Sequence, residues 1–594
     1  MPIDFTNTNL VWTSILMETL YRLGLKTAIV CPGSRSAPLA IAAANHPHIE
    51  AIPVLDERSA SFFALGLARQ DHRPVVLICT SGTAGANFYP AVIEAQESGV
   101  PLMLLTADRP PELRDCNAGQ AIDQHKLYGT FPNWQTELAI PSLELPMLAY
   151  LRQTLIHAWE KALYPVPGVV HLNLPFRDPL APIPQAHAHA IASTFNTEAF
   201  FASVTPFHQK AEGRRQEAGG RRQEFLIPHP PSPIPHPLSP SGIIIAGTAQ
   251  PEAPDVYCRA IARLSQTLGY PVLAEGLSPL RNYAALNPNL ITTYDLILRN
   301  ALLADKLAPE TVIRVGGMPT SKQLRSWLET TQPRQWIIDP EGRNLDPLHG
   351  NTTHIRMTIA TFLQSLSQPA AIETPYLAKW RTIEAQVRQT VDQTMRETDW
   401  LFEGKAAWFL SQVLPEGTPL FINSSMPVRD VEWFWAPGNT KVQPFFNRGA
   451  NGIDGTLSTA LGIAHRQQSS VMLTGDLALL HDTNGFLLRQ HFVGHLTIVL
   501  INNNGGGIFE MLPIAQYNPP FEAFFATPQA IDFAKLCATY EVEHEYITTW
   551  QQLEQRLKSL PTKGMRVLEV RTDRKADAQW RQQHLGTFAA NISI

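Results

Sequence analysis

Residues 475–509 read GDLALLHDTNGFLLRQHFVGHLTIVLINNNGGGIF, and VMLT stands immediately before them. An apolar run closing on Gly475-Asp476, a helical segment LALLHDTNGFLLRQHF and a second apolar run LTIVLIN spell strand, helix, strand, which is one crossover unit. Strands joined in this way lie parallel. Asp476 therefore stands at the carboxyl end of the first strand and Asn503 at the carboxyl end of the second, the edge where open α/β sheets bind ligands. Two side-chain oxygens face one site, beside a backbone that Gly505, Gly506 and Gly507 leave bare.

The same alternation extends outward through the chain. From residue 27, TAIVCPG, EAIPVLD, PVVLICTSG and VPLMLLTAD are separated by the helical segments SAPLAIAAANH, ERSASFFALGLARQ and TAGANFYPAVIEAQ. A second series runs through SGIIIAG, PVLAEG, TVIRVGG and RQWIIDP, and a third through TPLFIN, VMLTGD, LTIVLINN and MRVLEV. Strict alternation of strand and helix predicts parallel sheets covered by helices on both faces. At 594 residues the chain is too long for one core. We therefore expect three doubly wound parallel-sheet α/β domains, at 1–185, 186–370 and 371–594. Between the first two lies a tract of about 206–241, in which GRRQE occurs at 213 and again at 220 before a Pro/Ser/His-rich run. That composition buries too little apolar surface to offset its ordering entropy and reads as a disordered insertion.

Composition narrows the partners. Apolar residues at 44% and charged residues at 17% describe a globular chain, and a net charge of −5 gives no whole-protein field that would draw nucleic acid or an anionic membrane. The opening MPIDFTNTNLVWTSILMETLYRLG has an acidic residue where a signal peptide would be basic, and its apolar residues fall at helical spacing. Cys31, Cys79, Cys116, Cys258 and Cys537 are scattered without metal-type spacing, which fits a reducing compartment. A soluble cytoplasmic protein without stable membrane insertion is the expectation.

One carboxylate, one amide oxygen and an exposed glycine backbone suit a hard octahedral cation that keeps company with phosphate oxygens, and magnesium bridging a diphosphate is the natural candidate. A Gly-Asp at a strand end followed, after a crossover, by paired asparagines resembles the diphosphate-binding signature of thiamin-diphosphate-dependent enzymes. The resemblance implies thiamin diphosphate as cofactor, with Asp476, Asn503 and the Gly505 carbonyl holding Mg2+ or Mn2+. It also implies pyrimidine-binding, middle and diphosphate-binding domains in that order, and a glutamate in the first of them. Glu57, in VLDERSASFFALGLA, sits where a strand passes into a helix. A carboxyl group there, kept protonated by burial, hydrogen-bonds the aminopyrimidine and favours the imino tautomer that deprotonates the thiazolium ring. Because Glu57 and Asp476 belong to different domains, the resemblance places the cofactor between sheets of different subunits, so at least a homodimer is expected.

Other sheet-edge residues bear on the substrate. PGSRS at 32–36 presents Ser34 and Arg35, ADRPPE at 107–112 presents Arg109 with Gln120 downstream, NSSMPVR supplies Ser425 and Arg429, FFNRGANGIDG supplies Arg448, and VGGMPTSKQL offers Lys322. These cations are more than a monocarboxylate requires, and guanidinium groups pair with carboxylates in a bidentate fork. Substrates carrying several carboxylates fit such a set.

Together PGSRS, DERSASFFALGLA, TSGTAGANFYPAVIEA, TADRPPELRDC, NRGANGIDG, GDLALLHDTNG and INNNGGGIF resemble the 2-succinyl-5-enolpyruvyl-6-hydroxy-3-cyclohexene-1-carboxylate synthase family of menaquinone and phylloquinone biosynthesis. That resemblance implies a transferase that decarboxylates 2-oxoglutarate and adds the succinyl carbanion equivalent to isochorismate. It assigns Ser425, Arg429 and Arg448 to the oxoglutarate-derived carboxylate, and Ser34, Arg35, Arg109, Gln120 and Lys322 to isochorismate. Ser81, Gly82 and Ile453 are assigned to the cofactor, and Ile508, Phe509 and Leu512 to the substrate cavity. Gly-Asp and Asn-Asn alone also permit another thiamin-dependent 2-oxo acid decarboxylase or carboligase, or a binding protein that retains the scaffold.

Overall fold

The structure is a computed structural model that describes residues 3–206, 239–366 and 373–592. Most of the tract expected to be disordered, 206–241, lies outside the described residues. Three six-stranded sheets carry the chain, and every strand pair in them is parallel. Among the described residues no helix is long and apolar enough to cross a membrane.

The first sheet comprises β1 (Thr27–Val30), β2 (Glu50–Pro53), β3 (Val75–Cys79), β4 (Leu102–Asp108), β5 (Trp134–Glu137) and β6 (Val169–Pro175), in the order β2-β1-β3-β4-β6-β5. Its central strands β3, β4 and β6 are buried at every residue, as a parallel sheet covered on both faces requires, and are mostly apolar. The second sheet comprises β7 (Gly242–Ala246), β8 (Val272–Ala274), β9 (Leu290–Ile291), β10 (Thr311–Val315), β11 (Arg334–Ile338) and β12 (Asn351–Ile355), in the order β12-β11-β10-β7-β8-β9. The third comprises β13 (Pro419–Ile422), β14 (Gln443–Phe445), β15 (Ser470–Gly475), β16 (His495–Asn502), β17 (Glu543–Ile547) and β18 (Gly564–Arg571), in the order β14-β13-β15-β16-β18-β17.

The crossover from β15 to β16 departs from the single helix expected of it. The α-helix covers only Asp476–His481, the chain breaks at Asp482, and a 3-10 stretch follows over Thr483–Gln490. Asp482 causes the break, because its side chain turns back to accept the Ser458 backbone N–H at 2.7 Å and the Ser458 hydroxyl at 3.1 Å. Polar side chains that bond distant backbone compete with a continuing helix.

Two compact units divide the chain. One takes in the described residues up to 206 together with Asn447–His465 and Asp482–Val493. In it the helices Glu57–Asp71 and Thr456–Ala464 pack backbone to backbone at Gly66 and Gly462, where a methyl group on Gly66 would lie 2.1 Å from the Thr459 carbonyl oxygen and 2.9 Å from the Gly462 Cα. Only glycine at both positions permits that approach. The other unit holds the second and third sheets, and the long helix Pro375–Glu397 sends Trp380, Ile383, Val387, Val391 and Met395 into a core shared by both. Arg281, fully buried, reaches from the second-sheet side to the Glu432 carbonyl at 2.9 Å and to the Glu432 carboxylate at 3.4 Å.

Burial pushes Asp482 up to about 6, against hydrogen bonds from Ser458 that favour the carboxylate. The folded state therefore binds the proton more tightly than the unfolded chain, so stability falls as pH rises from about 4 through 6, and the full penalty is present above that. Relative to Asp482→Asn, we expect the parent to lose up to roughly 3 kcal/mol of unfolding free energy between about pH 4 and pH 7. Urea unfolding of both proteins across that range checks it, and a constant difference would show that the acid ionises freely in the fold.

Candidate active site

In the first unit the predicted residues gather at the carboxyl edge of the first sheet. Ser34 is exposed in the loop after β1, whereas Arg35 is buried and donates from Nη1 to the Phe176 carbonyl at 2.9 Å. Ser81 follows β3, is buried, and accepts a hydrogen bond from Arg109 Nη1, which comes from the end of β4. Burial and the nearby Arg35 charge both lower the Arg109 pKa, opposed by Asp108 and Asp178. The two guanidinium groups are thus within electrostatic reach of each other. The Gly82 N–H donates to Gln124 Oε1 at 2.9 Å, and the exposed residue Gln120 passes against Gly82 in a left-handed conformation, φ 57°.

Glu57 is the first residue of the helix Glu57–Asp71 and is half-buried. Asp56 caps that helix by accepting the Arg58 and Ser59 N–H groups, and its other oxygen takes the Asn484 amide at 2.6 Å. The cap fixes where Glu57 begins the helix. After burial, the Glu57 charge is a further influence raising the Cys79 thiol, and it also raises Cys31, so Glu57 looks onto the carboxyl ends of β1 and β3. Arg448 and Ile453 are half-buried on the segment leading to Thr456–Ala464. Gly449 and Ala450 in that segment donate backbone N–H groups to the Glu94 carboxylate at 2.9 and 2.7 Å.

In the second unit the opening motif builds a separate constellation. Gly475 pairs with Ile501, which sets Asp476 level with Asn502 and one residue short of Asn503. Asp476 is buried and its two oxygens accept the Leu477 and Gly505 N–H groups, each at 2.8 Å. Burial raises its pKa to about 6. Asn503 donates from Nδ2 to Glu403 Oε2 at 2.8 Å, while its Oδ1 is buried with no hydrogen-bond partner among the described residues. A buried carbonyl oxygen left unmatched asks for a ligand. Gly505 has φ 140°, and a side chain there would meet the Ala526 carbonyl oxygen at 2.5 Å, so the turn admits glycine alone. The residues present fit a hard cation: one carboxylate, one free amide oxygen, and a glycine carbonyl with a second lone pair beyond its bond from Gly507 N–H.

Ser425 precedes the helix Met426–Phe434 at the carboxyl end of β13, the neighbour of β15, and its carbonyl accepts Arg429 Nη1 at 2.6 Å. Ile508 and Phe509 lie on the short helix Gly507–Glu510 with Leu512 just beyond; all three are half-buried, and Phe509 meets the Phe525 ring edge-on at 5.8 Å. Lys322 is exposed at the first residue of the helix Lys322–Thr331, after β10 of the second sheet, a different sheet from the one bearing Asp476.

Several residues behind these positions escape the sequence reading. Gln124 binds the Gly82 N–H, the Ala107 carbonyl and the Asn173 side chain at once. Glu403, Asp430, Asp577 and Arg581 form a buried ionic cluster behind Asn503. Burial, opposed by Arg581, pushes Asp430 up to about 7 and Asp577 to about 8. These residues are scattered over nearly 180 positions, and only the fold brings them together.

Three matches to known families follow the chain in order: the N-terminal TPP binding domain of thiamine pyrophosphate enzymes at residues 12–127, the middle domain at 236–422 and the C-terminal TPP binding domain at 435–570. Among solved structures, benzoylformate decarboxylase from Polynucleobacter necessarius superposes with a TM-score of 0.66 at 15% identity, over 95% of this chain and 98% of that one, a likeness of fold alone. Among curated proteins, the 2-succinyl-5-enolpyruvyl-6-hydroxy-3-cyclohexene-1-carboxylate synthase of Nostoc sp. (strain PCC 7120) is 62% identical, with all of both chains covered. The protein of the same name from Gloeothece citriformis is 61% identical over 99% of this chain and all of its own. The chain belongs to the 2-succinyl-5-enolpyruvyl-6-hydroxy-3-cyclohexene-1-carboxylate synthase family of thiamin-diphosphate-dependent enzymes.

Proposed function

We propose that the chain decarboxylates 2-oxoglutarate and joins the resulting four-carbon succinyl unit to isochorismate by conjugate addition, releasing CO2. Thiamin diphosphate, when bound, supplies the means of holding negative charge at the former carbonyl carbon. Asp476, the Asn503 Oδ1 and the Gly505 carbonyl would hold Mg2+ or Mn2+, and Ser81, Gly82 and Ile453 would contact the cofactor. Glu57 would hydrogen-bond the aminopyrimidine ring, an interaction that favours the ring's basic tautomer.

The observation that carries the substrate reading is the pair Arg35 and Arg109, two cations held at one sheet edge where an anion relieves their repulsion. With Ser34, Gln120 and Lys322 they orient the two carboxylates of isochorismate. Ser425, Arg429 and Arg448 hold the carboxylate that 2-oxoglutarate keeps. Ile508, Phe509 and Leu512 would wall the substrate cavity with apolar surface and exclude water from it.

Purified protein with thiamin diphosphate and Mg2+ is expected to consume isochorismate only when 2-oxoglutarate is also present. Consumption of 2-oxoglutarate with isochorismate untouched would instead favour a different carboligase or decarboxylase. Glu57→Gln is expected to lower kcat by about 10²- to 10⁴-fold while leaving the melting temperature unchanged. Turnover near the parent's would remove Glu57 from the chemistry.

The reading further requires a homo-oligomer in which Glu57 of one copy serves the cofactor held by Asp476 and Asn503 of another. Glu57→Gln and Asp476→Ala chains, each inactive alone, should then recover about a quarter of parental activity after random exchange, since half the dimers are mixed and each mixed dimer has one intact site. No recovery despite demonstrated exchange would place both residues on one chain's site.

A further inference from the structure

Asn503 poses a problem of orientation. Its amide oxygen and nitrogen are nearly the same size, and packing alone does not choose which of them faces a cation. The choice is made by Glu403, buried at the first residue of the helix Glu403–Val413, whose carboxylate can only accept. Glu403 Oε2 takes the Asn503 Nδ2 at 2.8 Å, so Oδ1 is the atom turned the other way, buried and unmatched.

Glu403 is itself held. Its Oε1 accepts from Arg581 Nη1 at 2.6 Å, and Arg581, 1% exposed, spreads its remaining donors over Asp430 at 2.7–3.0 Å. The Glu403 backbone N–H donates to Asp577 at 3.3 Å. Three helices, Glu403–Val413, Met426–Phe434 and Arg574–His584, thus converge on one side chain at the end of β16. Burying such a cluster is expensive, and apolar residues of like volume would stabilise the fold as well or better. A role in orientation explains why charge stands there.

We propose that Glu403, braced by Arg581 and Asp430, is a positioning residue that aims the Asn503 amide oxygen at the metal ion. The proposal rests on the assignment of Asn503 to the metal.

The test is Mn2+ binding to the full-length protein in the presence of thiamin diphosphate, followed by electron paramagnetic resonance and calorimetry. Glu403→Ala is expected to weaken Mn2+ by about 10- to 100-fold, the usual consequence of losing the partner that orients a ligand, with kcat recovering at saturating metal. In an Asn503→Asp background, where both oxygens of the carboxylate serve equally, Glu403→Ala should not weaken Mn2+ further and should relieve the repulsion between two acids. A merely structural role would weaken both backgrounds alike, and that result overturns the proposal. If Glu403→Ala does not fold, the same comparison is made with Glu403→Gln, whose amide no longer dictates which end of Asn503 it receives. Parental affinity in the Glu403 variants refutes the positioning role alone, whereas parent protein that binds no Mn2+ with thiamin diphosphate refutes the metal site and the proposal with it.

Discussion

Parallel pairing is the constraint on which the rest of this structure depends. A parallel ladder cannot be closed by a tight turn, so each strand returns through a crossover and all six carboxyl ends of a sheet emerge on one edge. That rule puts Ser34, Ser81 and Arg109 together although they are separated in the chain, and it puts Ser425, Asp476 and Asn503 together in another sheet. Helix caps and the glycine turn at Gly505 then aim groups that the sheet has already gathered.

Legibility from sequence follows the same physics. The buried central strands announce themselves as apolar runs, and the residue directly after such a run is a sheet-edge residue whatever the rest of the fold does. Asp476 and Arg109 could be picked out on that basis, and Ser34 from the loop that follows β1. The edge strands β12, reading NTTHI, and β17, reading EHEYI, are half in solvent and carry no such signal. The break at Asp482 was hidden for a different reason, since the helical pattern continues through it and the groups that draw the side chain away, the Ser458 N–H and the Ser458 and Ser59 hydroxyls, are distant in sequence. Glu403 and Arg581 belong to a further class: each looks like an ordinary helix charge until three helices close around it.

The two constellations use charge in opposite ways. Around Arg35 and Arg109, two like charges stand at one sheet edge within electrostatic reach of each other. Around Asn503, Arg581 is surrounded by Glu403, Asp430 and Asp577 and is fully enclosed. The first arrangement leaves its cations at a sheet edge; the second closes its cation inside the fold behind Asn503, with Glu403 hydrogen-bonded to both.

The meeting of Gly66 with Gly462 has a consequence for how the molecule is made. The first compact unit is written mostly in the first third of the chain, yet it needs Asn447–His465 and Asp482–Val493 to complete it. During synthesis its sheet can form early, but the face of the helix Glu57–Asp71 around Gly66 stays uncovered until several hundred more residues have left the ribosome. Contacts of that sequence separation are slow to form, and a helix face waiting for them is a surface for misassembly. The long pause is built into the order of the segments, and cutting the gene at the apparent end of the first sheet would leave that face without its cover permanently.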